Sequence, residues 1–127
     1  MKYRSFTHVT NVQTIDAGDV DGHLLGVNRQ SGIASFPNGS VATTYFTALT
    51  DYIKGSGTAL VAYINVTFED GSVLWIKGTN PTVAEGNKSI IRNGTLTVIG
   101  GKGRYVGATG DGTFSGARLA PLATGIS

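Results

Sequence analysis

Along most of the chain, apolar and polar residues alternate with a period of two, and Gly, Asn, Asp and Pro interrupt the pattern at short intervals. Side chains on a strand point to opposite faces in turn, so the pattern predicts β-strands rather than helices. Turn signals fall at Asp19-Val20-Asp21-Gly22, Pro37-Asn38-Gly39, Lys54-Gly55-Ser56-Gly57, Glu69-Asp70-Gly71, Asn80-Pro81 through Gly86, and Gly100-Gly101. Between them lie eight strand-like runs: Arg4–Ile15, His23–Phe36, Val41–Ile53, Thr58–Phe68, Val73–Gly78, Lys88–Ile99, Arg104–Gly107 and Gly112–Leu119. Long antiparallel runs of this kind suit a coiled barrel better than a sandwich of short strands. The expected fold is all-β: an eight-stranded, mostly antiparallel closed β-barrel with a central cavity, formed by one domain over residues 1–127.

Asn38-Gly39 and Asp70-Gly71 are the strongest hairpin signals, because both residues accept the positive φ of a type I′ turn. Read as two-residue turns, they set the register by counting. Phe68 then opposes Val73, Val66 opposes Trp75, and Ile64 opposes Lys77. Around Asn38-Gly39, Gly32 opposes Tyr45 and Arg29 opposes Ala48. In this register neither face of the second hairpin is purely polar: Tyr63 and Asn65 share a face with Leu74 and Ile76. Two arrangements satisfy that pattern. One is a mixed polar–apolar cavity with an apolar exterior covered in an oligomer; the other is the reverse. Either makes the chain a homo-oligomer, a dimer or trimer.

Composition narrows the function classes. Charged residues make up 14% of the chain, well below the usual ~25%. The 10 Lys+Arg and 8 Asp+Glu are dispersed, and the nearest approach to a basic run is Lys102 and Arg104. Nucleic-acid binders concentrate cations on one face, so no nucleic-acid partner is expected. The absence of cysteine excludes disulfides, thiolate catalysis and Cys-ligated zinc. Met1 to His8 lacks the apolar stretch of a signal peptide, and no segment has the ~18 apolar residues of a membrane helix. The expectation is a cytoplasmic protein with no membrane partner.

Glycine is the excess: 19 of 127 residues, with a cluster running from Gly100 to Gly112. A phosphate-binding loop requires the glycine turn to open a helix. Here Thr113-Phe114-Ser115-Gly116-Ala117 follows and reads as strand, so the glycines are assigned to bulges and tight coiling. Gly100-Gly101-x-Gly103-x-Tyr105-x-Gly107-x-x-Gly110 resembles the signature of allene oxide cyclase-like and dirigent-like barrels. Asn65 to Gly78 is similar to their central hairpin, and Gly22-His23-Leu24-Leu25-Gly26 resembles the start of their second strand. The resemblance implies an oligomeric, calycin-like barrel whose cavity cyclises, isomerises or orients hydrophobic intermediates. The stretch matching the cyclases' first-strand motif, Phe6 to Val12, contains no Glu.

The candidate chemistry is spare. Lys77 is the candidate base or oxyanion partner, and Tyr45 and Tyr63 (with Tyr52 a further phenol) are candidate hydrogen-bond donors to an enolate or carbonyl. Trp75 and Asn65 are candidate ligand contacts, and Arg29 and Arg92 candidate carboxylate binders. His8 and His23 have no evident third ligand, so no metal site is expected, and no nucleophile elbow is present. These residues support a cofactor-free cyclase or isomerase acting on a small hydrophobic, phenolic or aromatic molecule. Catalysis would fall to Lys77, Tyr63 and Tyr45, and binding to Trp75, Asn65, Arg29 and Arg92. The alternatives are a non-catalytic barrel that binds a small apolar ligand, or a dirigent-like structural oligomer.

Overall fold

The computed structural model describes residues 2–119. Its strands are β1 (Arg4–Asp16), β2 (His23–Ser35), β3 (Val41–Ile53), β4 (Ser56–Thr67), β5 (Val73–Glu85), β6 (Lys88–Lys102) and β7 (Gly110–Arg118). They form one antiparallel sheet in chain order. The fold is therefore all-β, but it is a seven-stranded open sheet rather than the expected closed barrel of eight. Among the described residues, β1 and β7 each have one hydrogen-bonded neighbour.

The lost strand is Arg104–Gly107. Gly103 and Gly107 adopt φ of +64° and +75°, and the segment between them winds into a 3-10 turn over Gly103–Tyr105. Backbone bonds from Val106 N–H to the Gly103 carbonyl (3.3 Å) and from Ala108 N–H to the Tyr105 carbonyl (3.0 Å) close it. In the opposite sense, β5 continues through Asn80-Pro81, where a break is predicted. Its register against β6 slips between Thr79 and Thr82, so Pro81 has no β6 partner that needs its missing N–H.

Both glycine hairpins close with three-residue loops instead of two. Phe36 N–H donates to the Ser40 carbonyl and Gly39 N–H to the Phe36 carbonyl, both at 3.0 Å. Phe68 and Ser72 repeat the pattern around Gly71. Gly39 and Gly71 occupy the left-handed third position, at φ +86° and +84°. The side chains of Asn38 and Asp70 accept the backbone N–H of Ser40 (3.0 Å) and Ser72 (2.9 Å). The Ser72 N–H, with Arg104 at 3.0 Å adding to it, holds the Asp70 carboxyl below the ordinary carboxylate range.

One additional loop residue moves a strand's side chains to the other face. Thr67 opposes Val73 and Val66 opposes Leu74. Tyr45 opposes Ser31 rather than Gly32, and Arg29 opposes Thr47 rather than Ala48. Gly32 owes its identity to β1 instead: a Cβ there would run into the Phe6 carbonyl. In the corrected register Ile64, Val66, Phe68, Leu74 and Ile76 share one face, while Tyr63, Asn65, Trp75 and Lys77 share the other.

The first of these faces is buried. Apart from the 3-10 turn that brings Tyr105 to one end, no helix or second sheet lies against it among the described residues, so the coiling of the sheet itself covers it. Ala34, Phe36, Ala42, Val66, Phe68, Leu74 and Ile76 form the core at one end of this inner face. Tyr3, Phe36, Phe68 and Tyr105 stack across that end as a row of tilted rings, with centroids 5.3, 5.3 and 5.1 Å apart.

Candidate functional site

Toward the opposite end the same inner face becomes polar. On β2, Asn28 and Gln30 continue the alternation that buries Ala34 and Phe36, and they are only 4% and 5% exposed. The Gln30 amide donates to Asn28 Oδ1 at 3.1 Å and accepts the Thr7 hydroxyl from β1 at 2.8 Å. Across the face, the Tyr52 hydroxyl of β3 and Thr82 Oγ1 of β5 share a hydrogen bond of 3.2 Å. Tyr52 can reach over β4 because the residue paired with both Tyr52 and Thr82 is Gly57. Asn80 Nδ2 donates to Thr82 Oγ1 and to the Pro81 carbonyl, both at 3.1 Å. Buried Thr44 and Thr50 lie on the same side of β3.

Arg118 completes this surface. It pairs with Ser89 across β6 and β7, and its Nη2 donates to the Ser89 hydroxyl at 2.8 Å. Its Nε is buried and has no hydrogen-bond partner among the described residues. Buried polar atoms are nearly always paired, since an unmet donor costs about 1–3 kcal/mol. Neither a carboxylate nor an imidazole takes part in the bonds just described. The surface therefore offers oriented amides, hydroxyls and one guanidinium, a set that binds and polarises an acceptor group.

Tyr52, the further phenol singled out in the sequence, lies on this face, but six of the seven residues to which the sequence reading gave catalysis or binding lie elsewhere, together, on the outer face. Tyr45, Asn65 and Trp75 are successive cross-strand partners, as are Arg29, Thr47, Tyr63 and Lys77. Tyr45 and Tyr63 are 45% and 50% exposed. Lys77 Nζ stands 5.9 Å from the Tyr63 ring, and Lys102 Nζ stands 5.7 Å from the Trp75 ring. Arg29 Nε donates to the Thr47 hydroxyl at 3.3 Å. Arg92 stands apart from the six, exposed where the β6–β7 register slips between Ile91 and Gly94.

Sequence reasoning missed Asn28, Gln30, Asn80, Thr82, Ser89 and Arg118 as a group. A signal was present in β2, where Asn28 and Gln30 have the same parity as Ala34 and Phe36. Two amides on a core-facing parity are unusual enough to mark a polar patch.

A separate charged cluster sits on the outer side of the β1–β2 loop. His23 Nδ1 lies 2.6 Å from Asp19, and its Nε2 lies 2.6 Å from Asp51 of β3. Hydrogen bonds to Asp19 first and Asp51 second push the imidazole above its ordinary value of 6.5, and the His23 contact lowers Asp19. Among the described residues, no group of three or more His, Cys, Asp or Glu is placed to hold a metal ion, and no helix is long and apolar enough to cross a membrane.

No protein-family model, curated protein or solved structure matches this chain. The function must be read from the site.

Proposed function

We propose that the chain is a non-catalytic binding module for a small molecule with an apolar body and a carboxylate, held on the inner face. The buried, unpartnered Nε of Arg118 carries this reading. With Nη2 committed to Ser89, Nε remains as a directed donor to an anionic oxygen, and charge-assisted bonds of this kind are the stronger ones. Half-buried Phe46, Ile64 and Leu96 between the two ends of the face supply apolar surface for the rest of the molecule. The sequence resemblance to allene oxide cyclase-like and dirigent-like barrels supports a hydrophobic small-molecule ligand.

The test follows the Arg118 Nε–H resonance by nitrogen-15 NMR during titration with a series of aromatic carboxylates starting with benzoate, with methyl benzoate as the uncharged control. The acids should shift it saturably, the ester should not, and Arg118→Gln should bind at least about tenfold more weakly. Failure of every acid in the series to move the resonance, or unchanged binding by Arg118→Gln, overturns the assignment.

A second reading is a cofactor-free cyclase or isomerase, favoured by the Tyr52 phenol on the same face, which can donate to a developing enolate. Turnover of a bound acid that is lost in Tyr52→Phe, with binding retained, would select it over simple binding.

A further inference from the structure

The candidate residues that the inner-face site does not use make a second surface. On the outer face Tyr45 and Trp75 flank Asn65 in one cross-strand row, about 10 Å apart at the usual strand spacing. Tyr63, two positions along β4, is the diagonal neighbour of both, at about 7–8 Å. Tyr45 and Tyr63 are exposed and Trp75 is half-buried. The β6 partner of Trp75 is Gly100, which puts no side chain beside the indole. Three accessible rings in a triangle on one sheet face form a patch of the kind that marks an interaction surface rather than scattered surface residues.

The charges around the rings identify the occupant. Cations that are dispersed in the sequence are gathered here by the register. Arg29 and Lys77 lie in the row that runs through Thr47 and Tyr63. Lys102, paired with Val73, and Arg4, paired with Ser35, stand on the same side of the sheet. Lys77 Nζ is 5.9 Å from the Tyr63 ring centroid and Lys102 Nζ is 5.7 Å from that of Trp75, so two of the three rings have a cation beside them. Between the Arg4–Ser35 row and the Arg29–Lys77 row, Asp111 on β7 is the one carboxylate at a strand position of this face among the described residues, and it accepts the Thr97 hydroxyl at 3.2 Å. Asp19 and Asp51 lie beyond the Val27–Leu49 row and bond to His23. A neutral polymer would leave these cations unmatched, and a double helix hides the faces of its bases. A strand with unpaired bases offers a phosphate to each cation and a π-face to each ring.

We propose that the outer face binds single-stranded nucleic acid, with bases stacked on Tyr45, Tyr63 and Trp75 and phosphates beside Arg29, Lys77 and Lys102. Rings carried on a sheet stack two or three successive bases in this way. Asn65, set between the rings, adds an amide donor and acceptor at the base edges. The binding tolerates any sequence, because every base has a π-face, and it weakens as salt rises, because the cations release counterions from the phosphates. This surface is separate from the inner face and does not rest on the ligand assigned there.

Trp75 is the chain's only tryptophan, so its fluorescence reports on this face directly. Titrating the full chain with an oligothymidylate of about 12 nucleotides in about 50 mM salt should quench it saturably, with half-saturation at about 1–100 µM. The logarithm of the affinity should fall with that of the salt concentration at a slope of about −2 to −3, as three or four neutralised phosphates require. Tyr63→Ala, at an exposed position, should retain the circular-dichroism spectrum while binding at least about fivefold more weakly. Lys77→Gln should make the salt slope shallower by about 0.7. The same strand annealed to oligoadenylate, and an abasic strand of equal length and charge, should each bind at least about tenfold more weakly. Absence of quenching up to about 1 mM strand, unchanged binding by Tyr63→Ala, or a duplex or abasic strand that binds as well as the oligothymidylate would each overturn the assignment. Tighter binding of polygalacturonate than of the oligothymidylate would overturn it as well and give the face to an anionic glycan. The Arg118 Nε–H resonance reports the inner face, so failure of the ligand site and failure of this one are read separately.

Discussion

The two ends of the inner face are built by the same strands and do opposite work. At one end Phe36 and Phe68 sit at the feet of three-residue loops, and their rings join Tyr3 and Tyr105 across the opening. Apolar burial there is worth roughly 1.5–3 kcal/mol for each large side chain removed from water. At the other end Gln30 bonds to Asn28, and Tyr52 and Asn80 bond to Thr82. Each such bond replaces one to water and returns only about 0.5–1.5 kcal/mol net. The difference teaches that stability is concentrated where the hairpins close, leaving the polar end free to hold groups whose value lies in what they can bind.

The comparison is broken most directly by removing a ring. Phe68→Ala should cost about 3–5 kcal/mol in urea unfolding, because it opens the ring row between Phe36 and Tyr105 and removes the surface over which Arg104 lies at 4.8 Å. At the polar end, Thr82→Val keeps the shape, leaves the Tyr52 hydroxyl without its partner and removes one of the two acceptors of Asn80, at a cost of about 1–3 kcal/mol. Equal costs for the two variants would mean that the polar end is a stability element after all. Gly71→Ala sharpens the account of the loops. No neighbour crowds a Cβ there, so its expected cost of about 1–2 kcal/mol comes from the left-handed backbone alone. A neutral result in the same unfolding assay would show that the register does not depend on that conformation.

The smallest effect concerns pH. The native His23 is raised above 6.5, so its bonds contribute fully below that value and are lost as pH rises through the raised one. Asp19 is lowered, so its contribution is present above its ordinary 3.8 and is lost as pH falls through the lowered value. The β1–β2 loop should therefore show higher amide-exchange protection factors near pH 6 than near pH 8, and His23→Gln should remove the difference. Equal protection at both values in the unaltered chain would show that His23 does not fasten the loop.

Strand boundaries were the most legible part of the fold. Val41–Ile53 is predicted and observed with the same ends, and β1, β2, β4 and β7 differ by no more than two residues at either end. Arg104–Gly107 misled because Tyr105 and Val106 favour strands, while Gly103 and Gly107 on either side bend the backbone into a turn. The two-residue register divided the candidate residues between two faces, with Tyr63 and Asn65 on one and Trp75 and Lys77 on the other. Tyr45, Tyr63, Asn65, Trp75 and Lys77 do converge, but on the outside, because one residue in each loop decides which way a whole strand faces. The same error hid Asn28 and Asn80, whose burial depends on that parity.

By itself the sequence determined that this chain is a coiled antiparallel sheet, because period-two alternation and glycine punctuation are local properties that each segment carries alone. Only the tertiary structure decided which face is inside and, among the described residues, that the sheet stays open and that Arg118 points a buried donor at no acceptor. Those outcomes depend on loop geometry and on groups that meet 30 or more residues apart along the chain, as Tyr52 meets Thr82 and Phe68 meets Tyr105. No local pattern encodes a contact between residues so distant along the chain.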